Sequence, residues 1–280
     1  MTNLLVFQSD FGISDGAVSA MYGVALSVNK ELKISDITHD IPPFNVWEGS
    51  YRLLQTVPYW PNGTVFVSVV DPGVGCDRRS IVVKTTDEQY IVTPDNGTLT
   101  HLKKKVGITA VRMIDETVNR LPRSGESYTF HGRDVYAYTG ARLAAGVIDF
   151  EEVGPEVSVN SLVEFPLADS YLSNNRITGI IEILDIRFGN LWTNIPRSIF
   201  NQLEVEIGEK VTVEIESGNQ QVYAHSMTYG RSFADSSLGE ALIYVNSLDN
   251  MGIALNQASF AKTYKIGTGS TWEITIVKEK

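Results

Sequence analysis

The chain has 280 residues, enough for one large domain or two smaller ones, and its 43% hydrophobic and 20% charged residues are ordinary for a globular protein. A formal net charge of −10 with scattered basic residues argues against sequence-independent binding to nucleic-acid phosphates. The single cysteine, Cys76, excludes a disulfide within the chain, and neither a signal peptide nor a membrane-spanning apolar stretch is apparent. We therefore expect a cytoplasmic protein with no membrane or nucleic-acid partner.

The first half of the sequence alternates β-branched apolar runs with segments of helical periodicity. Strands are predicted at residues 4–7, within 32–44, at 63–70 and, as a pair, within 80–97. Helices are predicted at 15–28, 46–57 and 132–146, the last ending at the C-cap glycine Gly146. Strands that alternate with helices indicate a mostly parallel central sheet flanked by helices.

The pattern changes after about residue 165. A turn-rich stretch is followed, from residue 176, by short strands that turn residues separate at intervals of about ten residues. The sequence therefore predicts an α/β N-terminal domain over residues 1–167 and a smaller, all-β, barrel-like C-terminal domain over residues 168–280.

The segment "SDFGISD" (9–15) contains the DFG triplet of protein kinases, but no glycine-rich loop precedes it, and "HGRD" follows 120 residues later instead of preceding it. A kinase is therefore excluded. Asp10 follows a predicted strand, at the edge where open α/β sheets bind ligands. Two roles stay open for Asp10: accepting hydrogen bonds from ribose hydroxyls, or acting as a turn residue or helix N-cap.

The segment "VVDPGVGCDRRS" (69–80) places Asp71 at the end of a buried strand and Arg78 seven residues later. These side chains can form an ion pair, either as a structural turn or in a cleft where the arginine fixes an ionised carboxylate. In "TFHGRDVY" (129–136), His131 precedes a predicted helix and is either a structural histidine or part of a site.

The segment "FGNLWTNIP" (188–196) is rich in aromatic and amide side chains. Phe188 and Trp192 can stack on a flat ring while Asn190 and Asn194 bind its polar edge, or the aromatic residues belong to the core. The four histidines, at 39, 101, 131 and 225, lack metal-ligand spacing. We expect neither a metal nor a cofactor.

Five segments in this order resemble the S-adenosylmethionine hydroxide adenosyltransferase family, relatives of the adenosyl halogenases such as fluorinase. They are "SDFGISD", "DPGVGCDRR", "TFHGRD", "DIRFGNLWTNI" and "YVNS". The resemblance implies an N-terminal α/β domain, a C-terminal β-barrel-like domain and a homotrimer. Each active site would lie between the N-terminal domain of one subunit and the C-terminal domain of its neighbour. The implied reaction converts S-adenosylmethionine and water to adenosine and methionine.

The resemblance also implies residue roles. Asp71, Arg78 and His131 match the family's catalytic triad, and their presence favours water over a halide as nucleophile. The implied substrate-binding residues are those of the ribose (Asp10, Phe44), of the adenine (Phe188, Asn190, Phe233), of the amino-acid end (Asp185, Ser247) and of the same pocket more generally (Asp15, Trp192). The halogenases carry an arginine after the serine of "NS", where this chain has Leu248. The group that binds the substrate carboxylate is therefore left open.

Three alternatives remain at this level. Asp10, Asp15 and Asp71 could bind the metal of a nucleotide or phosphoester hydrolase. The protein could be a nucleoside-binding regulator without turnover, or it could use chloride as the nucleophile.

Overall fold

The computed structural model describes residues 2–125 and 128–279. The chain separates into two compact units, Met1–Phe165 and Pro166–Lys280. Within the described residues, no helix is both long and apolar enough to cross a bilayer.

The N-terminal unit is an α/β sandwich. Its strands are β1 (Leu4–Ser9), β2 (Lys33–Thr38), β3 (Val65–Val69), β4 (Ser80–Thr85), β5 (Tyr90–Pro94), β6 (Ile108–Met113) and β7 (Glu156–Val157). Its α-helices are α1 (Ala17–Val28), α2 (Val46–Thr56), α3 (Thr100–Lys105) and α4 (Tyr138–Ala144), and a π-helical turn, Gly132–Ala137, leads into α4. The sheet order is β2-β1-β3-β5-β4-β6-β7, in which β2, β1, β3 and β5 are parallel and the pairs beyond β5 are antiparallel. The predicted helix-covered sheet is confirmed, with antiparallel strands added at one side.

Side chains alternate between the two faces of this sheet along each strand, and both faces are buried because helices pack against them. On β1, Leu5 and Phe7 belong to the apolar cluster that includes residues of α1 and α4, whereas Val6 belongs to the cluster that includes residues of α2 and α3. The parallel neighbours β1 and β3 end side by side, with Ser9 paired to Val69. The loops that carry Asp10 and Asp71 therefore leave the same edge of the sheet.

The C-terminal unit contains a closed barrel. Its strands are β8 (Tyr171–Ser173), β9 (Arg176–Asp185), β10 (Asn190–Pro196), β11 (Lys210–Ser217), β12 (Gln220–Tyr229), β13 (Ala241–Val245), β14 (Asn250–Leu255) and β15 (Trp272–Lys278), with the short helices α5 (Arg197–Phe200) and α6 (Phe260–Tyr264). The order β10-β14-β13-β12-β11-β15-β9 is closed by pairing of β9 with β10, and β8 adds to the outside of β9. The predicted barrel-like domain is confirmed; the last residue of its predicted final strand, 280, lies outside the described residues.

Alternation along β10 and β13 decides what faces the barrel interior. Leu191 and Ile243 belong to the core cluster of this unit. Their neighbours Asn190, Trp192 and Tyr244 therefore project from the outer wall of the barrel.

Candidate active site

Arg78 and Asp71 form a two-point ion pair in the loop between β3 and β4. Arg78 Nε donates to Asp71 Oδ1 at 2.8 Å, and a terminal amino group of Arg78 donates to Asp71 Oδ2. The side chains are only 10% and 5% exposed, respectively. The fork of the guanidinium matches the carboxylate, so the pair fixes both its charge and its orientation.

His131 is the third member of this cluster. The Arg78 nitrogen that contacts Asp71 Oδ2 also lies 3.0 Å from His131 Nδ1. An arginine N–H can only donate, so Nδ1 carries the lone pair and the neutral ring carries its proton on Nε2. Burial lowers the pKa of His131, with Arg78 acting in the same direction against the opposing charge of Glu116. His131 Nε2 is buried and has no hydrogen-bond partner among the described residues.

Further contacts hold the Arg78 guanidinium. Its other terminal nitrogen donates to Ser80 Oγ at 3.1 Å, and the guanidinium carbon lies 5.6 Å from the centre of the Tyr136 ring. Burial acts to lower the pKa of Arg78, but the hydrogen bond and charge of Asp71 outweigh it and the pKa is raised. Arg78 is therefore a permanently charged clamp on Asp71.

Asp10 is held from a neighbouring loop. Its Oδ2 accepts a hydrogen bond from the backbone N–H of Phe44 at 2.8 Å, and the Phe44 side chain is 72% exposed. Asp10 is not a helix N-cap. That position at α1 is occupied by Gly16, and the exposed Asp15 accepts a hydrogen bond from the Ala17 N–H at 2.9 Å through its Oδ1.

The Asp10 loop and the His131 loop are in contact through aromatic rings. Phe11 and Phe130 lie 5.7 Å apart, centre to centre, in an edge-to-face arrangement. A Cβ at position 132 would lie 3.0 Å from the Phe11 ring, a tight contact that glycine avoids. Asp10 and the Asp71–Arg78–His131 cluster thus share one edge of the N-terminal unit.

The C-terminal unit has a cavity of about 830 Å³ on the outer wall of its barrel. Its lining includes all six binding residues that the family resemblance implies for this unit: Asp185, Phe188, Asn190, Trp192, Phe233 and Ser247. Asn194 does not line it and instead bridges backbone, accepting from Ile180 N and donating to Ala168 O, each at 2.8 Å.

Aromatic rings form part of the cavity wall. Trp192 Nε1 donates to the Tyr244 hydroxyl at 3.2 Å, and the Phe233 and Tyr244 rings lie 5.2 Å apart. Gly252, paired with both Trp192 and Tyr244 across β14, leaves room for the Tyr244 ring, since a Cβ there would lie 2.8 Å from Tyr244 Cζ. The wall combines aromatic rings with polar side chains, which suits a planar heterocycle that has a polar edge.

The charged groups of the cavity are Asp185, Arg187 and Arg231. Asn190 Nδ2 donates to Asp185 Oδ2 at 3.4 Å, a long hydrogen bond. Leu248 lies outside the lining. The sequence interpretation missed Tyr244 and both arginines. Arg231 lies two residues before Phe233 in "YGRSF" (229–233). In a strand this spacing would place the two side chains on one face, but these residues form a turn, so the spacing did not identify Arg231 as a neighbour of Phe233.

Over residues 2–125 and 128–279, no cluster of three or more histidine, cysteine, aspartate or glutamate side chains is arranged to hold a metal ion. Asp10 and Asp71 have other partners instead, the Phe44 backbone and Arg78.

Comparison with known proteins connects both units to one family. Residues 5–154 match the SAM hydroxide adenosyltransferase N-terminal domain, and residues 179–273 match the C-terminal domain of the same family. An (R)-S-adenosyl-L-methionine hydrolase of Methanocaldococcus jannaschii is 40% identical over 70% of this chain and 68% of its own length. A protein of the same name from Salinispora tropica is 32% identical over 98% of both chains, and a fluorinase of Actinopolyspora mzabensis is 27% identical over 97% of both.

Among solved structures, an uncharacterized conserved protein from Thermotoga maritima is similar, with a TM-score of 0.87 and 32% identity over 98% of this chain and 100% of that chain. Two family domains in their proper order, together with relatives that match over nearly full length, identify this chain as a member of the SAM hydroxide adenosyltransferase family.

Proposed function

We propose that this protein hydrolyses S-adenosyl-L-methionine to adenosine and L-methionine. Relatives named (R)-S-adenosyl-L-methionine hydrolase support the reaction. The observation that carries the assignment to residues is the contact of Asp71, Arg78 and His131, in which one arginine nitrogen bridges the carboxylate and the imidazole.

In the proposed mechanism, a water molecule attacks the ribose 5′-carbon. The new C–O bond forms as the C–S bond breaks, and the bonding electron pair stays on sulfur as the neutral thioether of methionine. The leaving group takes no negative charge, so no oxyanion needs stabilisation. Catalysis then consists of aiming and desolvating a small nucleophile, and well-oriented reactants reach effective molarities of about 10⁵–10⁸ M.

Asp71 is the group that we assign to receive the water proton. Arg78 donates once to each carboxylate oxygen, which leaves lone pairs on both oxygens free to accept from water. His131 cannot be the base in its neutral form, because its Nδ1 accepts from Arg78 and its Nε2 carries the proton. The Nε2–H would instead donate to the water or to the ribose.

The substrate-binding roles are part of the same proposal. Asp10 would bind the ribose diol beside Phe44, and Asp15 would lie at the rim of the same pocket. The cavity of the C-terminal unit would bind the rest of the substrate, through the stacking of Phe188, Phe233 and Trp192 on adenine, the polar edge of Asn190, and Asp185 with Ser247 at the amino-acid end.

The substrate carboxylate needs a cation or donor that Leu248 does not offer. We assign it to Arg231. The backbone N–H of Arg231 donates to Asp235 Oδ2 at 2.7 Å, and the Ser232–Asp235 capping box fixes the following turn. Arg187 lines the same cavity in the turn after β9, so Arg187→Ala is the control for Arg231→Ala.

The first experiment is a chromatographic assay of the purified protein with S-adenosylmethionine in ¹⁸O-labelled water, with a chelator and without added metal. We expect adenosine that carries ¹⁸O at the 5′-oxygen, together with unlabelled methionine. The Asp71→Ala variant should lose turnover, whereas Asp77→Ala, which removes an exposed carboxylate from the same loop, should keep it.

Other outcomes identify the alternatives. Activity that requires added metal would replace this mechanism with a metal-dependent one. Formation of 5′-chloro-5′-deoxyadenosine in excess chloride would indicate halide chemistry. Binding of adenosine without turnover of any substrate tested would indicate a regulator.

We also propose a homotrimer in which two subunits contribute residues to each site. The test mixes two variants that we expect to be inactive, Asp71→Ala and Asn190→Ala, under conditions that exchange subunits. Sites that combine the intact half of each variant should restore part of the activity. A monomer in light scattering, or no recovery after verified exchange, would refute the shared site.

A further inference from the structure

A second polar cluster lies beside Asp10 and has the composition of a Ser-His-Asp triad. Ser9 Oγ lies 2.7 Å from His39 Nδ1, and His39 Nε2 lies 3.1 Å from Asp36 Oδ1. The Tyr22 hydroxyl donates to Asp36 Oδ2 at 2.5 Å and also lies 3.3 Å from His39 Nε2. These residues come from β1, β2, the loop after β2, and α1, and the mechanism proposed above uses none of them.

The protons of this cluster fit one arrangement. Asp36 accepts from His39 Nε2–H and from Tyr22, which leaves His39 Nδ1 as an acceptor for the Ser9 hydroxyl. Burial, followed by the hydrogen bond and charge of Asp36, raises the pKa of Tyr22, so Tyr22 stays a donor. Each of these three donors then has an acceptor, and the chain of hydrogen bonds runs from Tyr22 to Ser9 without a break.

Ser9 is unsuited to be a nucleophile despite this pattern. The residue is 0% exposed, so no substrate reaches its Oγ. The same oxygen also accepts a hydrogen bond from the backbone N–H of Phe11 at 3.2 Å. The hydrogen bonds of the cluster therefore hold the backbone of the chain itself.

His39 holds the backbone on both sides of Asp10. The His39 ring contacts Ser9 Oγ, just before Asp10, and the same oxygen accepts a hydrogen bond from the N–H of Phe11, just after Asp10. One residue further on, the carbonyl oxygen of His39 accepts the N–H of Gly12 at 2.8 Å, and Gly12 has a left-handed φ of 66°. Residues 9–12 are thus fixed around Asp10, whose carboxylate is oriented by Phe44.

We propose that Ser9, His39 and Asp36 are positioning residues that hold Asp10 for the 2′- and 3′-hydroxyls of a ribonucleoside. This inference rests on the proposed function, since Asp10 is assigned there to the ribose. Its consequence is that selection for a ribose over a deoxygenated sugar depends on side chains that do not touch the sugar. Charged hydrogen bonds to a diol are sensitive to small displacements, because their strength depends on distance and angle.

The test uses titration calorimetry with two ligands, adenosine and 2′,3′-dideoxyadenosine. The ratio that it measures is the dissociation constant of 2′,3′-dideoxyadenosine divided by that of adenosine. We expect wild type to favour adenosine and Asp10→Ala to remove most of that preference. Ser9→Ala and His39→Phe should each lower the ratio about tenfold, the size of one modest hydrogen bond. Neither change should reduce the ratio further when combined with Asp10→Ala.

Ser68→Ala is the matched control. Ser68 is also a fully buried serine of this sheet, and its Oγ accepts from the Gln8 side chain rather than from the backbone of residues 9–12. Its removal should leave the ratio unchanged even if it lowers the melting temperature. If His39→Phe does not fold, Ser9→Ala and Tyr22→Phe carry the comparison, the latter with a smaller loss of selectivity.

An unchanged ratio in folded Ser9→Ala and Tyr22→Phe, with the ratio lost in Asp10→Ala, would overturn the positioning role and leave the proposed function intact. Losses of selectivity in Ser9→Ala or His39→Phe that add fully to the loss in Asp10→Ala would also overturn the positioning role. Wild-type protein that binds neither nucleoside and does not turn over S-adenosylmethionine would overturn the proposed function and this inference together.

Discussion

Replacing Arg78 separates the structural role of the Asp71–Arg78–His131 cluster from the chemical role that we propose for it. The Arg78→Met variant keeps the aliphatic stem but leaves the Asp71 carboxylate, whose side chain is 5% exposed, without its cation. Removing one member of a buried ion pair costs about 3–5 kcal/mol. Because the cluster lies in a loop at the sheet edge that water can enter after the change, we expect the lower end, about 3 kcal/mol.

The double variant Asp71→Asn with Arg78→Met tests the origin of that loss. It leaves no unpaired charge, so we expect it to recover about 2 kcal/mol of the unfolding free energy relative to Arg78→Met. Turnover should not recover. Misplacing reacting groups by about 1 Å costs about 100-fold, and both variants should fall at least that far. Arg78→Lys should be intermediate in stability, since it keeps the charge but cannot contact both oxygens with the geometry of a guanidinium.

Urea unfolding followed by fluorescence gives the free energies, and chromatography of adenosine gives the turnover. Wild-type stability in Arg78→Met would show that the ion pair is not the main support of the loop. Wild-type turnover in a folded Arg78→Met would refute the assignment of this cluster to catalysis.

Three further predictions concern a buried histidine and the cavity. Burial lowers the pKa of His101 to about 4 from 6.5, so the unfolded state binds the proton at a higher pH than the folded state. We therefore expect the unfolding free energy to fall by about 3 kcal/mol as the pH drops from 6.5 to 4. His101→Gln should flatten this slope in urea titrations. Gly252→Ala places a Cβ 2.8 Å from Tyr244 Cζ, so it should cost about 1–3 kcal/mol in thermal unfolding and weaken adenosine binding, and unchanged binding would show that the ring position is not critical. Arg231→Ala should raise the KM for S-adenosylmethionine at least tenfold without changing adenosine affinity, whereas an equal loss of both would place Arg231 away from the carboxylate.

The sequence predicted the layers of the fold because the apolar patterns are strong. The β-branched run at 63–70 corresponds to β3, and the helix predicted at 46–57 corresponds to α2, Val46–Thr56. Boundaries shifted where local chemistry competes with periodicity. The first helix begins at Ala17 rather than at residue 15, because Asp15 accepts the Ala17 N–H instead of continuing the helix.

Other features depend on contacts that no local pattern encodes. β10, Asn190–Pro196, was interpreted only as a cluster of aromatic and amide residues, because its outward face is polar and aromatic while its partners are β9 and β14. The predicted helix at 132–146 begins with a π-helical turn, Gly132–Ala137, before regular α-helix. The ion pair of Asp71 and Arg78 was anticipated from spacing, whereas its link to His131 spans 53 residues, so it was implied by the family resemblance and by no local pattern.

The closed barrel of the C-terminal unit separates two demands that many proteins must meet with the same side chains. Its stability comes from residues directed inward, such as Leu191 and Ile243, whereas the cavity uses their neighbours on the outer wall. Substitutions of Asn190 or Trp192 can therefore change the wall of the cavity without repacking the interior of the barrel. A lineage, or a library built on this scaffold, can vary the cavity that we propose for the substrate while the barrel beneath stays the same.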